Sequence, residues 1–404
     1  MSPAPVVVVG IGADGWAGLG EAARAAVLAA ELIVGSQRQL ALLPETRAEH
    51  RPWPSPIDPL VDELCMPGGA RACVLASGDP MLHGIGATLA RRLGPERIEV
   101  HPHPSALALA CARLGWPEAE VELVSAVGRP AEVLVRALQP GRRIVAYAPG
   151  TSGASELARV LCERGFGPSR LIVLEQLGGA DERVLESTAA EWGGRPADAL
   201  HAVGIECRVQ PGGAWLARTP GLADDAYEHD GQITKRAIRA VTLAALAPAP
   251  GQLLWDVGAG SGSIGIEWLR AEPTARAIAL ELHPERAARA ARNALALGVP
   301  QLDVRIGRAP EALAELEEPD AVFIGGGVGG ADLIDRCWHA LRPGGRLVAN
   351  AVTLEGEGIL VAARERCGGE LTRLEVSHAE PLGGFSAWRP QRPIVQWSGR
   401  KEPA

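Results

Sequence analysis

The chain has 404 residues, is 47% hydrophobic and 22% charged, and carries a formal net charge of −8. The length predicts two domains, three at most, with ordinary apolar cores. The acidic balance, without a long basic run, argues against nucleic acid as the main partner. No apolar stretch reaches membrane-spanning length, and Val6–Val9 is cut off by Gly10 too early for a signal h-region, so no membrane partner is expected. The seven cysteines are scattered with none in C-x-x-C, which argues against disulfides and zinc and predicts a cytoplasmic location. The only lysines are Lys235 and Lys401, in a chain whose other basic residues are arginine, so Lys235 stands out.

From the N-terminus, four β-branched residues (Val6–Val9) predict a strand buried on both faces. Gly10-Ile11-Gly12-Ala13-Asp14-Gly15 follows, then an alanine-rich helix over 21–30. The glycines match the dinucleotide pattern G-x-G-x-x-G, but the next strand, 32–34, ends in Gly35-Ser36 where that reading needs an acid. A strand over 73–76 runs into Ser77-Gly78-Asp79-Pro80, then Gly84-Ile85-Gly86 and a helix through Leu93. A strand over 100–104 leads to Ser105 and a helix over 106–114; further strands are read over 144–148 and 171–174, the latter followed by Glu175. Strands alternating with helices predict a parallel α/β domain. His101 and His103 flank Pro102, but no third ligand has a fixed spacing, so they read as structural or substrate-side and no metal is expected.

The succession VVVVGIG, ASGDPMLHGIG, HPHPSALALA, AYAPGTSG and VLEQLG resembles the tetrapyrrole (corrin and sirohaem) methylase family, from Val6 to about Cys207. The resemblance implies a two-lobed α/β fold with S-adenosylmethionine in the cleft. Gly10, Gly12, Gly78, Asp79 and Ser105 become its cofactor-side candidates; Asp79, before a proline, equally suits a turn former. One departure is the first loop, ADGWAGLG, which lacks the family's usual continuation.

Residues 210–225, rich in Gly, Ala, Pro and Asp without apolar periodicity, read as a linker between domains at 1–209 and 226–404. His229-Asp230-Gly231-Gln232-Ile233-Thr234-Lys235 follows, then a helix over 236–246 with an apolar face. Leu253 to Trp268, LLWDVGAGSGSIGIEW, reads as strand, glycine-rich turn and helix. The glycines permit a sharp turn and close approach to a ligand, and the helix start offers free N–H groups to an anion. The next strand, 276–280, ends on Glu281, where an acid suits ribose hydroxyls. Ser263 occupies the position where a dinucleotide site has glycine, and the run resembles the first motif of class I S-adenosylmethionine-dependent methyltransferases. A helix over 284–297 carries Arg286, Arg289 and Arg292 at helical spacing, which read as a solvated face. Strands follow over 304–306, 320–324 (ending in a glycine cluster at 325–330) and 347–351, with a closing antiparallel pair over 372–376 and 393–397. Arg308 stands where class I enzymes often have Asp.

The segments GQITK, DVGAGSGSIGIE, FIGGG and PGGRLVANAVTLE resemble class I enzymes of corrin synthesis that methylate carbon-15 and decarboxylate an acetate side chain. This implies a doubly wound, Rossmann-like C-terminal domain. It nominates Gly258, Ala259, Gly260, Ser261 and Gly262 for the methionine part of the cofactor, Glu281 for its ribose, the Ala309 backbone for adenine, and Thr234 beside it. His229 and Lys235 are proton-handling candidates. The two resemblances together imply methylation of a precorrin-type tetrapyrrole at carbon-5 by the first domain and at carbon-15, with decarboxylation, by the second. S-adenosylmethionine is the expected cofactor and a homo-oligomer the expected assembly. An RNA or protein methyltransferase would need a basic first domain or an Asn/Asp-Pro-Pro motif after Ile324, and neither is present. A nicotinamide oxidoreductase would need glycine at Ser263 and an acid after Val34. A third reading makes the first domain a degenerate partner that only positions the second.

Overall fold

The computed structural model describes residues 5–66, 70–325 and 331–403. The chain forms two compact units: residues up to Ala131 with Pro140–Gly213, and Glu132–Gln139 with Ala214–Ala404. The division near Gly213 falls within the stretch read as linker, whereas the grouping of 132–139 with the second unit has no signature in the sequence.

The first unit holds two five-stranded sheets. One has the order β3-β2-β4-β1-β5, with β1 Val6–Ile11, β2 Leu32–Gly35, β3 Glu49–Pro52, β4 Ala72–Ser77 and β5 Ile98–His101, all parallel. The β-branched run forms β1, flanked on both edges, with Val8, Val9 and Ile11 fully buried. β5 ends earlier than the sequence suggests. Pro102 and Pro104 lack the N–H that a ladder needs. The second sheet has the order β6-β7-β10-β8-β9, with β6 Val121–Ser125, β7 Arg143–Tyr147, β8 Arg170–Glu175, β9 Arg183–Thr188 and β10 His201–Glu206. Only β6 and β7 are parallel; the other pairings are antiparallel, which corrects the all-parallel expectation. The connection from Glu175 to Arg183 is too short for the crossover a parallel pair requires.

The second unit is a seven-stranded sheet in the order β13-β12-β11-β14-β15-β19-β16, with β11 Leu253–Val257, β12 Arg276–Glu281, β13 Asp303–Ile306, β14 Ala321–Ile324, β15 Arg346–Ala351, β16 Glu370–Leu374 and β19 Ile394–Arg400. The first five are parallel; β19 runs antiparallel to β15 and β16. β17 Ser377–Leu382 and β18 Phe385–Pro390 form a separate exposed hairpin. This is the doubly wound α/β arrangement. The strand order reverses between β11 and β14, and the crevice beyond their carboxyl ends is where such sheets bind ligands. Trp255, Trp268 and Trp397 fill the core, each indole N–H bonded to a main-chain carbonyl.

A buried ion pair anchors the entry to this unit. Glu267, on the helix Ser263–Ala271, accepts from Arg239 Nε (2.5 Å), the Gly221 and Leu222 amides (2.5 and 3.0 Å) and the Tyr227 hydroxyl (2.8 Å). Arg239 also donates to the carbonyls of Leu222 and Thr234 and lies over the Tyr227 ring. With side chains only 0% and 2% exposed, neither charge has water to fall back on. Glu267→Ala should therefore destabilise the unit by about 3–5 kcal/mol, because it leaves the buried Arg239 with only the partly exposed Asp224 carboxylate, 3.3 Å from Nη2, to compensate it. Urea unfolding followed by tryptophan fluorescence measures this; an unchanged midpoint contradicts it.

Candidate functional sites

In the second unit, β11 delivers the chain into Gly258, Gly260 and Gly262, with φ of +73°, +57° and +76°. These are left-handed conformations that a side chain would strain. A Cβ on Gly258 would meet nothing within 4 Å, and one on Gly260 only the Gln232 carbonyl at 3.6 Å, so the main chain is open on that side. Gly262 differs: its Cβ would press on Ala290 at 3.0 Å, which lets the helices pack. The amides of Gly258 and Ala259 both donate to the Leu280 carbonyl, at 2.9 and 3.1 Å, tying the turn to the end of β12.

Glu281, at that strand end, is buried and accepts from the Gly260 amide at 2.8 Å and the His283 amide at 3.0 Å. Each oxygen keeps a further lone pair. Ser261 is buried, and its hydroxyl has no partner among the described residues. Thr234, on the segment whose Gln232 carbonyl stands over Gly260, is held through its carbonyl by Arg239. Ala309 packs partly buried against the core around Val257 and Leu280. Gly325 donates to the Val257 carbonyl at 3.2 Å beside the glycine turn; the rest of the glycine cluster, 326–330, lies outside the described residues.

Sequence reasoning did not find Asn293. Its amide nitrogen donates to the carbonyls of Ser261 and Glu228, both at 2.9 Å, and its oxygen accepts from the Glu228 amide at 2.8 Å. It therefore staples the 228–235 segment to the glycine turn. The arginines of the same helix are not merely a solvated face. Arg286 and Arg289 pair with Asp230 (2.9 and 3.2 Å) and Arg292 with Glu228 (2.8 Å). The hydrogen bond from the Gln232 amide, seconded by Arg286 and Arg289, pulls the Asp230 carboxyl down to about 2. His229 Nδ1 accepts from the Gly231 amide at 3.0 Å, which puts the proton of the neutral ring on Nε2. Lys235 faces Asp224 at 3.6 Å.

In the first unit, a cavity of about 500 Å³ is lined by Gly12, Gly78, Asp79 and Ser105 among others. Gly10 is not on its wall. A Cβ there would lie 2.1 Å from the Gly78 carbonyl oxygen, so Gly10 lets β1 and the 77–80 loop close on each other. Gly12 backs onto Asp14 and the His103 ring, with Cβ distances of 2.6 and 2.7 Å. His103 Nε2 lies 3.1 Å from Asp14 Oδ2, and His101 pairs with Glu99 at 3.0 Å. The divergent loop is thus tied down: Asp14 folds against Gly18, where a Cβ would collide with its carboxylate at 1.9 Å. Asp79 Oδ1 accepts from the Met81 amide at 2.8 Å, so Asp79 both shapes a turn and faces the cavity. Ser105 caps the helix Ala106–Leu114 by accepting from Ala108 at 3.0 Å, while Tyr147 Oη accepts from Leu107 at 2.9 Å. Burial pushes the Tyr147 phenol up to about 12.

The geometry defines a chain of two methylase-type modules. A family model described as tetrapyrrole (corrin/porphyrin) methylases matches residues 5–193, and one described as a precorrin methyltransferase domain matches 225–401. The chain is 46% identical over 397 residues to a Sinorhizobium sp. precorrin-6Y C(5,15)-methyltransferase (decarboxylating), covering 98% of this chain and 96% of that one. It is 47% identical over 400 residues to the protein of that name from Mycobacterium tuberculosis (strain CDC 1551 / Oshkosh), covering 98% and 100%. A cobalt-precorrin-7 C(5)-methyltransferase of Salmonella typhimurium is 31% identical over 179 residues, 44% of this chain and 88% of that one. The chain belongs to the precorrin-6Y C(5,15)-methyltransferase (decarboxylating) family.

Asp256, fully buried under the glycine turn, accepts from the Gly265 amide at 2.9 Å. Burial, reinforced by the charge of Glu281, raises its carboxyl to about 7. The folded chain then holds a proton that the unfolded chain releases near pH 4. Stability from this group is complete at low pH, falls as pH rises from about 4 to about 7, and is flat above. Asp256→Asn should remove that slope. Urea midpoints of variant and parent should diverge between about pH 4 and about pH 7, the variant gaining with pH, and run parallel above; parallel profiles throughout contradict this.

Proposed function

We propose that this chain methylates a precorrin of the 6Y type twice with S-adenosylmethionine, at carbon-5 in the first unit and at carbon-15 in the second, and removes carbon dioxide from an acetate side chain in the second. The observation that carries the reading is the pairing of two different methylase folds in one chain, a pairing matched nearly end to end by relatives bearing that name.

S-adenosylmethionine supplies an electrophilic methyl group, which an electron pair of the ring carbon captures as the carbon–sulfur bond breaks toward sulfur. The chain's own task is to align, hold and exclude water. In the second unit, the open faces of Gly258 and Gly260 and the unpartnered Ser261 hydroxyl fit the methionine part. The two spare lone pairs of Glu281 fit a ribose diol, Thr234 closes the side under Gln232, and the Ala309 backbone meets the adenine. In the first unit Gly12, Gly78, Asp79 and Ser105 form the cofactor wall, and Gly10 supports it from behind. Decarboxylation needs an electron sink, which the conjugated macrocycle provides; a proton then replaces the lost carboxyl group. His229 is the better-placed proton handler, since Asn293 fixes its neighbour Glu228 beside Ser261. The Lys235 ammonium is drawn toward Asp224.

With precorrin-6Y and labelled S-adenosylmethionine, the parent chain should add two methyl groups and release one carbon dioxide, counted by mass. Gly12→Asp, whose side chain would collide with Asp14 and the His103 ring and so displace the main chain of the cavity wall, should lose the carbon-5 methyl and keep the rest. Glu281→Ala should lose the carbon-15 methyl and the decarboxylation. Calorimetry with S-adenosylhomocysteine should find two sites per chain; a single site overturns the reading.

A further inference from the structure

The wall of the first unit's cavity carries a polar group that the cofactor candidates do not use. Ser36 begins the short helix Gln37–Ala41 with a reciprocal cap: its hydroxyl accepts from the Gln39 amide, and its own amide donates to Gln39 Oε1 at 2.7 Å. That bond fixes the buried Gln39 side chain, whose Nε2 donates to Ser77 Oγ at 3.2 Å. The Arg38 Nη2 donates to the same hydroxyl at 3.3 Å. A hydroxyl oxygen accepts two bonds through its lone pairs, so the Ser77 O–H remains to donate elsewhere. Arg38, Gln39 and Ser77 all line the cavity.

Arg38 is half-buried, and no carboxylate comes within ion-pair distance of it among the described residues. The acid whose charge reaches it is Asp198, which lies beyond ion-pair distance and whose Oδ1 is held by the Gln176 side chain and the Leu200 amide, both at 2.8 Å. Desolvation pulls the guanidinium below its usual range, which marks a cation short of a partner. Several N–H groups of a planar fork and a spare hydroxyl proton therefore converge on one wall. Carboxylates take such a fork in bidentate fashion.

We propose that Arg38 and Ser77, held in place by Gln39, form a carboxylate-binding subsite in the first unit's cavity. This rests on the function proposed above. Two ligands of that function carry the group: the macrocycle, on its acetate and propionate arms, and the methionine end of S-adenosylmethionine. Arg38→Gln in the full chain separates them. A rise of about 10- to 100-fold in KM for precorrin-6Y in carbon-5 methylation, with the first-site Kd for S-adenosylhomocysteine within about twofold of the parent, assigns the subsite to the macrocycle. A comparable loss of S-adenosylhomocysteine affinity at that site assigns it to the cofactor. In either case Arg38→Lys should recover only part of the loss, because a point charge cannot reproduce the fork. Retained carbon-15 methylation and a full complement of adenosyl sites show that the variant is folded. Unchanged KM and unchanged Kd overturn the subsite while leaving the proposed function standing; failure of the parent chain to methylate carbon-5 overturns the function itself.

Discussion

The Glu267 carboxylate is the interaction on which the second unit depends. Four donors converge on it: a guanidinium, a phenol and two amides. Its helix begins in the glycine turn, so whatever Glu267 holds is fixed relative to that turn. It holds residues 221–227 directly and the 234–239 stretch through Arg239. The 228–235 segment is then clamped from the other side by Asn293 and the arginine row. A loop placed over a glycine turn would ordinarily be mobile. Here charge and hydrogen bonding replace apolar burial.

The first unit reaches a comparable result by removing side chains. Gly10, Gly12 and Gly18 each mark a point where a β-carbon would meet a carbonyl, a ring or a carboxylate. Close approach lets β1 and the 77–80 loop share one cavity wall, and the His103–Asp14 contact holds the loop that diverges from the family pattern. The two units thus use glycine in two ways, on different backbones. Glycine in a left-handed turn serves the second; glycine as a spacer serves the first.

Much of this was legible in the sequence where the pattern is local. The β-branched run became a central strand, and the helices Ala106–Leu114 and Arg236–Leu246 have the ends the sequence predicts. The glycine turn and Glu281 meet as their spacing implies, because strand, turn and next strand end form a single β-α-β unit. What escaped was non-local or edge-like. β3 (EHRP) and β9 (RVLEST) are exposed edge strands without an alternating apolar signature. β10 carries Gly204 at its centre, which reads as a strand breaker until Leu114 is found 2.8 Å from where its β-carbon would lie. Asn293, Glu267 and Arg239 have roles only through partners far along the chain, and no spacing announces them. Arg38 and Gln39 were the nearer miss, since Ser36 followed three residues later by Gln39 is a capping signature.

The path of the backbone between the units has a practical side. Residues 132–139 leave the first unit, join the second and return at Pro140. Within the second unit they are not idle: Gln139 Nε2 donates to the Leu216 carbonyl at 2.7 Å, and Gly298 has no β-carbon where one would crowd the Arg136 amide at 2.8 Å. A single cut near Gly213 would remove residues 132–139, and with them these contacts, from the C-terminal fragment. Dissecting the enzyme into separately expressed pieces would require grafting the octapeptide onto the C-terminal piece, or supplying it in trans, before either fragment's behaviour could be compared with that of the intact polypeptide.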